Sequence, residues 1–132
     1  MTRFLVDTSA FLWSLTDDSR LGTNSRSLLS EHDNDPILSV VSAWEIAIKW
    51  TIGKLALPTT PERVVAEALT TGGYSRMVVD YAHAVHVATL PPIHNDPFDR
   101  LLVAQAAVER LPILTADPAL GRYGTATIDA RT

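Results

Sequence analysis

The 132 residues predict a three-layer α/β/α domain around a central parallel sheet of four to five strands. Three observations point there. Short apolar runs alternate with longer helical patterns, as in chained βα units. Runs such as FLV, PIL and MVV are continuously apolar, which suits strands covered on both faces. Acidic residues also stand just past several of these runs, at the sheet edge where parallel α/β folds collect their ligands.

The strands are expected at Phe4–Val6, Ile37–Val40, Met77–Val79, Ile113–Leu114 and Ala126–Ile128. Between them the helix starts are punctuated by capping residues and proline. Thr8 or Ser9 opens Ala10–Leu15, and Thr23 or Asn24 opens Ser25–Glu31. A Val41–Ile52 helix follows the second strand. Thr60 and Pro61 begin Glu62–Leu69, which stops at Gly72–Gly73. Asp80 opens Tyr81–Thr89 ahead of Pro91–Pro92, and Asp96–Pro97 opens Phe98–Arg110. No repeat, linker or low-complexity tract interrupts the series, so residues 1–132 read as a single domain.

Composition narrows the chemistry. The chain has no cysteine, which removes disulfides, thiolate metal sites and cysteine nucleophiles and suits a reducing cytoplasm. A net charge of −4 argues against a broad basic nucleic-acid face, unless some acids serve as ligands to a cation that inverts the local potential. Apolar runs are cut by acids too soon to span a membrane, and the N-terminal run meets Asp7 before a signal peptide could form. With 46% hydrophobic and 20% charged residues, some apolar surface is expected to be shared with a partner.

Four acids carry the functional signal: Asp7, Glu45, Asp99 and Asp117. Asp7 follows the first strand and reads either as a helix cap or as a ligand. Glu45 has two local explanations, a Ser42-x-x-Glu45 capping box and an i,i+4 ion pair with Lys49. On a helical wheel Ser42, Glu45 and Lys49 form one polar stripe on an otherwise apolar, and so largely buried, helix; that stripe is expected to line a cleft. Asp99 shares a helix face with Leu102, Val103 and Ala106, a poor place for a solvated acid. Asp117–Pro118 reads as a cap or a ligand, and Asp96–Pro97 as a cap.

Two carboxylates about 4 Å apart repel by ~4 kcal/mol at an effective dielectric of 20, so several gathered together need protons or a cation. Oxygen donors suit a hard ion such as magnesium or manganese. The histidines show no zinc-like spacing: His32 stands alone, His83 and His86 read as a helix face without nearby ligands, and His94 reads as structural, with a phosphate contact as the other option.

The stretches LVDTSAFLW, VVSAWEIAIK with GKLALP, LPPIHNDPFDRLLVAQA and LPILTADPALGRYG occur in that order from Arg3 to about Gly124. In this they resemble the PIN-domain ribonucleases, and within them the VapC-type toxins of toxin–antitoxin pairs. The resemblance implies a PIN-like fold with a magnesium or manganese pocket in which Asp7, Glu45, Asp99 and Asp117 match the four family acids. It also implies a supporting hydroxyl at Thr115 and an acid of open role at Asp96. Relatives often carry His where this chain has Ser9, so contacts to substrate at Ser9 are in question.

The same resemblance implies cytoplasmic RNA cleavage by a metal-activated water, leaving a 5′-phosphate and a 3′-hydroxyl. It further implies a small VapB-type antitoxin as partner and self-association into a homodimer. A PIN-like module that binds RNA or protein without cutting is the alternative. A haloacid-dehalogenase-type phosphatase would want an acid at position 9, where Ser9 stands, and a receiver domain would want a lysine beyond Lys54, where there is none. Lys49, Arg100 and Arg122 read as surface cations, with charge compensation by Lys49 and RNA contacts by the arginines as further options.

Overall fold

A computed structural model describes every residue from Met1 to Thr132. Five strands, β1 (Arg3–Val6), β2 (Asp35–Ser39), β3 (Ser75–Met77), β4 (Ile113–Thr115) and β5 (Thr127–Asp129), form one sheet. They lie in the order β3-β2-β1-β4-β5, and every neighbouring pair is parallel. The helices are α1 (Thr8–Leu15), α2 (Thr23–Ser30), α3 (Val40–Thr51), α4 (Pro61–Thr70), α5 (Tyr81–His86), α6 (Pro97–Glu109) and α7 (Pro118–Gly121). A 3-10 turn, Val87–Thr89, extends α5. No helix is long and apolar enough to cross a membrane.

Alternation along the strands builds the layers. In β1, Phe4 and Val6 face one side and Leu5 the other, and all three are fully buried. The Phe4–Val6 side packs against Ala10, Phe11 and Trp13 of α1, Ile46 of α3, and Val64 and Ala68 of α4. The Leu5 side, with Ile37 and Ile113, packs against Val41 of α3 and Leu102, Val103 and Ala106 of α6. Thus the residues expected to share a face with Asp99 do form the core.

Several boundaries differ from the sequence expectation. β2 begins at Asp35, because Pro36 sits at the start of the strand, paired in register with Phe4, where its missing N–H is tolerated. It stops at Ser39, whose hydroxyl caps α3 by accepting from Val41 N–H, so Val40 is helical. The capping-box explanation of Ser42 and Glu45 therefore does not hold, since Ser39 is the cap. The cap of α1 is Asp7, accepting from Ala10 N–H, rather than Thr8 or Ser9. α2 starts from Gly22, with no side-chain cap from Thr23 or Asn24.

One expectation about α3 fails more broadly. Its apolar residues are not mostly buried: Val40, Trp44, Trp50 and Ile52 are exposed, Trp44 at 58%. α1, α4, α6 and β2 all pack against this helix and still leave these side chains facing outward.

Candidate metal-binding site

The chain leaves β1 in one direction toward β2 and returns on the other side as β4, so a crevice opens between the carboxyl ends of β1 and β4. Asp7 lies at that edge, its backbone N–H donating to Leu114 O at 3.0 Å. Its carboxylate is nearly buried, at 6% exposure, and both oxygens are held. Oδ1 accepts from Ala10 N–H at 2.8 Å and Oδ2 from the Thr115 hydroxyl at 2.5 Å. Burial raises the Asp7 carboxyl above its ordinary value; the two hydrogen bonds oppose this, and the Asp117 and Glu45 charges reinforce it.

Glu45 enters from α3, also nearly buried at 4% exposure. Its Oε1 accepts from the Thr8 hydroxyl at 2.7 Å, and its Oε2 from Lys49 Nζ at 2.5 Å. Ser42 lies beside them, its Oγ accepting from Thr8 at 2.9 Å. The expected polar stripe thus turns inward toward α1. Across the cleft the Trp44 and Phe98 rings meet edge-on with centroids 5.2 Å apart, joining the stretches of α3 and α6 that carry Glu45 and Asp99.

Asp99, in the first turn of α6, is strongly perturbed. Burial lifts its carboxyl from 3.8 to about 7, with the charges of Asp96, Glu45 and Asp7 adding to the rise and His94 opposing it. No N–H or O–H hydrogen-bonds to its oxygens, and His94 Nε2 lies 3.3 Å from Oδ2. His94 Nε2 also approaches Asp117 Oδ2 at 3.1 Å, while His94 Nδ1 accepts from Asp96 N–H, which leaves the ring proton on Nε2. His94, Asp99 and Asp117 bring ligand atoms within 4.8 Å of one another. Asp117 Oδ1 caps α7 through Ala119 N–H, and Thr115 Oγ1 accepts from Asp117 N–H, so Thr115 ties Asp7 to Asp117.

Asp96 caps α6, accepting from Phe98 and Asp99 N–H, and its charge is felt by both Asp99 and Lys49. Ser9, by contrast, is exposed and lines a depression with Leu12, Thr16 and Leu55–Pro58; no hydrogen bond joins it to the acids. Arg100 donates to the carbonyls of Val87, Leu90 and Pro91, so it pins a loop. Sequence reasoning passed over Thr8, the residue directly after Asp7. His94, which reads from sequence as structural with a phosphate contact as the other option, stands between Asp99 and Asp117.

His83 corrects a further expectation. It is buried, with Nδ1 accepting from Asp80 N–H to complete the capping box of α5 and Nε2 3.0 Å from Glu109 Oε2. It therefore has acidic neighbours, but both ring nitrogens are already occupied.

Of these side chains, His94, Asp99 and Asp117 form the cluster whose ligand atoms could hold a metal ion, with Asp7 and Glu45 outside it, and no sulfur donor is present; two carboxylates in the set suit a hard ion. The PIN domain profile matches residues 4–125. Ribonuclease VapC16 of Mycobacterium tuberculosis is 37% identical over 62 residues, 47% of this chain and 44% of that relative, so the match spans less than half of either. Among solved structures, VapBC2 from Rickettsia felis bound to a promoter DNA fragment superposes with a TM-score of 0.73 at 12% identity, covering 97% of this chain and 98% of that one. VapBC-1 from nontypeable Haemophilus influenzae gives 0.68 at 16% identity, covering 99% and 100%. At such identities these two establish the fold.

Proposed function

Because the chain belongs to the PIN-domain family, we propose that it is a VapC-type endoribonuclease toxin that hydrolyses RNA phosphodiester bonds with magnesium or manganese in the cytoplasm. In this reading a cognate VapB-type antitoxin restrains it and it works as a homodimer. The curated relative is named a ribonuclease, and the structural neighbours are toxin–antitoxin complexes, two independent supports for this choice. The observation that carries it is the crowding of carboxylates around Asp99, whose carboxyl is lifted to about 7 by burial and by the charges of Asp96, Glu45 and Asp7.

Asp7, Asp99 and Asp117 would hold the ion. When bound, a divalent ion makes hydroxide accessible near neutral pH and offsets charge building on the phosphoryl oxygens. The rest falls to this chain's own groups. Thr115 fixes one Asp7 oxygen and the Ala10 N–H fixes the other. Glu45, gripped by Thr8 and Lys49, is oriented to direct the attacking water. His94 Nε2–H stands at the rim beside Asp99 and Asp117, within reach of a phosphate oxygen entering there.

The test is cleavage of mixed RNA by the purified chain with Mn²⁺ or with EDTA. Wild type should cut only with the ion, and Asp7→Asn and Asp99→Asn should each lose at least about a hundredfold in rate while keeping the native circular dichroism spectrum. Asn at position 7 can still accept from Ala10 N–H, so the start of α1 should persist. Full activity in either variant, or RNA binding with no turnover in wild type, would overturn the proposal.

A further inference from the structure

Lys49 is not used by the reading above except as a grip on Glu45, yet its position is unusual. It lies one turn after Glu45 on α3, its side chain 43% exposed, and its Nζ reaches the pocket to meet a carboxylate that is 5% exposed. Glu45, Asp96 and Asp99 all stabilise the ammonium, which holds Lys49 above its ordinary value. Five carboxylates therefore share one crevice with one lysine. Both Asp7 and Glu45 have both oxygens hydrogen-bonded, but only Glu45 is paired with a cation, Lys49, while the Asp99 oxygens meet only the His94 edge.

Resting on the proposed metal-pocket reading, we infer that the Lys49 ammonium is a tethered counter-ion that occupies Glu45 and keeps it out of direct metal coordination. Asp99, Asp7 and Asp117 would then be the residues that hold a divalent ion, and Lys49 sets the affinity of the pocket as a fixed positive charge beside it. A positive charge a few ångströms from a dication repels it, and a carboxylate already paired offers it less. Lysine suits this task because its single compact charge sits on a stem long enough to reach in from the rim. It is a positioning residue, acting through Glu45.

The experiment is Mn²⁺ binding, followed by loss of the free-ion electron paramagnetic resonance signal, at about pH 8 so that carboxylates are ionised. Lys49→Met should bind Mn²⁺ at least about tenfold tighter than wild type. Lys49→Arg should match wild type, and Glu45→Gln added to Lys49→Met should abolish the gain. Thermal melts of each variant verify folding. Equal or weaker binding by folded Lys49→Met, with binding still dependent on Asp99, would overturn this inference and leave the pocket reading intact. Absence of Mn²⁺ binding in wild type and Lys49→Met alike would overturn both.

Discussion

Asp99 carries part of the electrostatic cost of the crevice. Its carboxyl, lifted from 3.8 to about 7, takes up a proton more readily in the folded chain than in the unfolded one. That stabilises the metal-free fold fully below about 4 and is lost as the pH rises through about 7. Asp7 is raised too, so it contributes in the same direction. The expected outcome is that metal-free wild type loses urea resistance, relative to Asp99→Asn, between about pH 4 and pH 7. Saturating Mn²⁺ should remove that loss by balancing the carboxylates. Parallel titration curves for the two proteins would contradict it. Asp99 was legible from sequence because an acid on a helix face shared with Leu102, Val103 and Ala106 is poorly placed for solvation, even though the helix dipole favours an acid in the first turn. Thr8 was not, because a hydroxyl after a strand reads equally well as a cap; only the packing of α1 against α3 turns it onto Glu45.

At the level of elements, the starts of α1, α6 and α7 each place an acid that serves the backbone and faces the pocket at once. This explains why local reading left Asp7 and Asp117 open between cap and ligand: each caps a helix and also borders the crevice. Asp96 separates the two roles experimentally. Asp96→Ser keeps a capping oxygen and should preserve stability, while Asp96→Ala should cost about 1 kcal/mol in urea unfolding. Equal stability of the two would show that the cap is idle. Strand order and helix order were readable because continuous apolar runs and proline-marked starts punctuate the chain. The boundary at Ser39 was not, since its hydroxyl serves α3 while also donating to the fully buried Gln105 at 2.6 Å, a contact 66 residues away in sequence.

For the molecule as a whole, the high apolar fraction surfaces as exposed side chains on two helices: Trp44, Trp50 and Ile52 on α3, and Tyr81 and Val85 on α5. An isolated chain has no reason to spend so much apolar surface on water. Light scattering should give wild type twice the monomer mass of 14.4 kDa, and Trp50→Glu/Val85→Glu should return it to the monomer. A monomeric wild type would remove self-association from the account. Periodicity foretold the apolar character of α3 but placed it inside, because a single sequence does not reveal which side of a helix the sheet covers. The central claim, that Asp7, Asp99 and Asp117 surround one divalent ion, is tested most directly by anomalous diffraction from a crystal soaked in Mn²⁺. A peak within coordination distance of Asp99, flanked by Asp7 and Asp117, is the predicted result; ordered carboxylates with no peak among them, or a peak bound elsewhere on the chain alone, would contradict it.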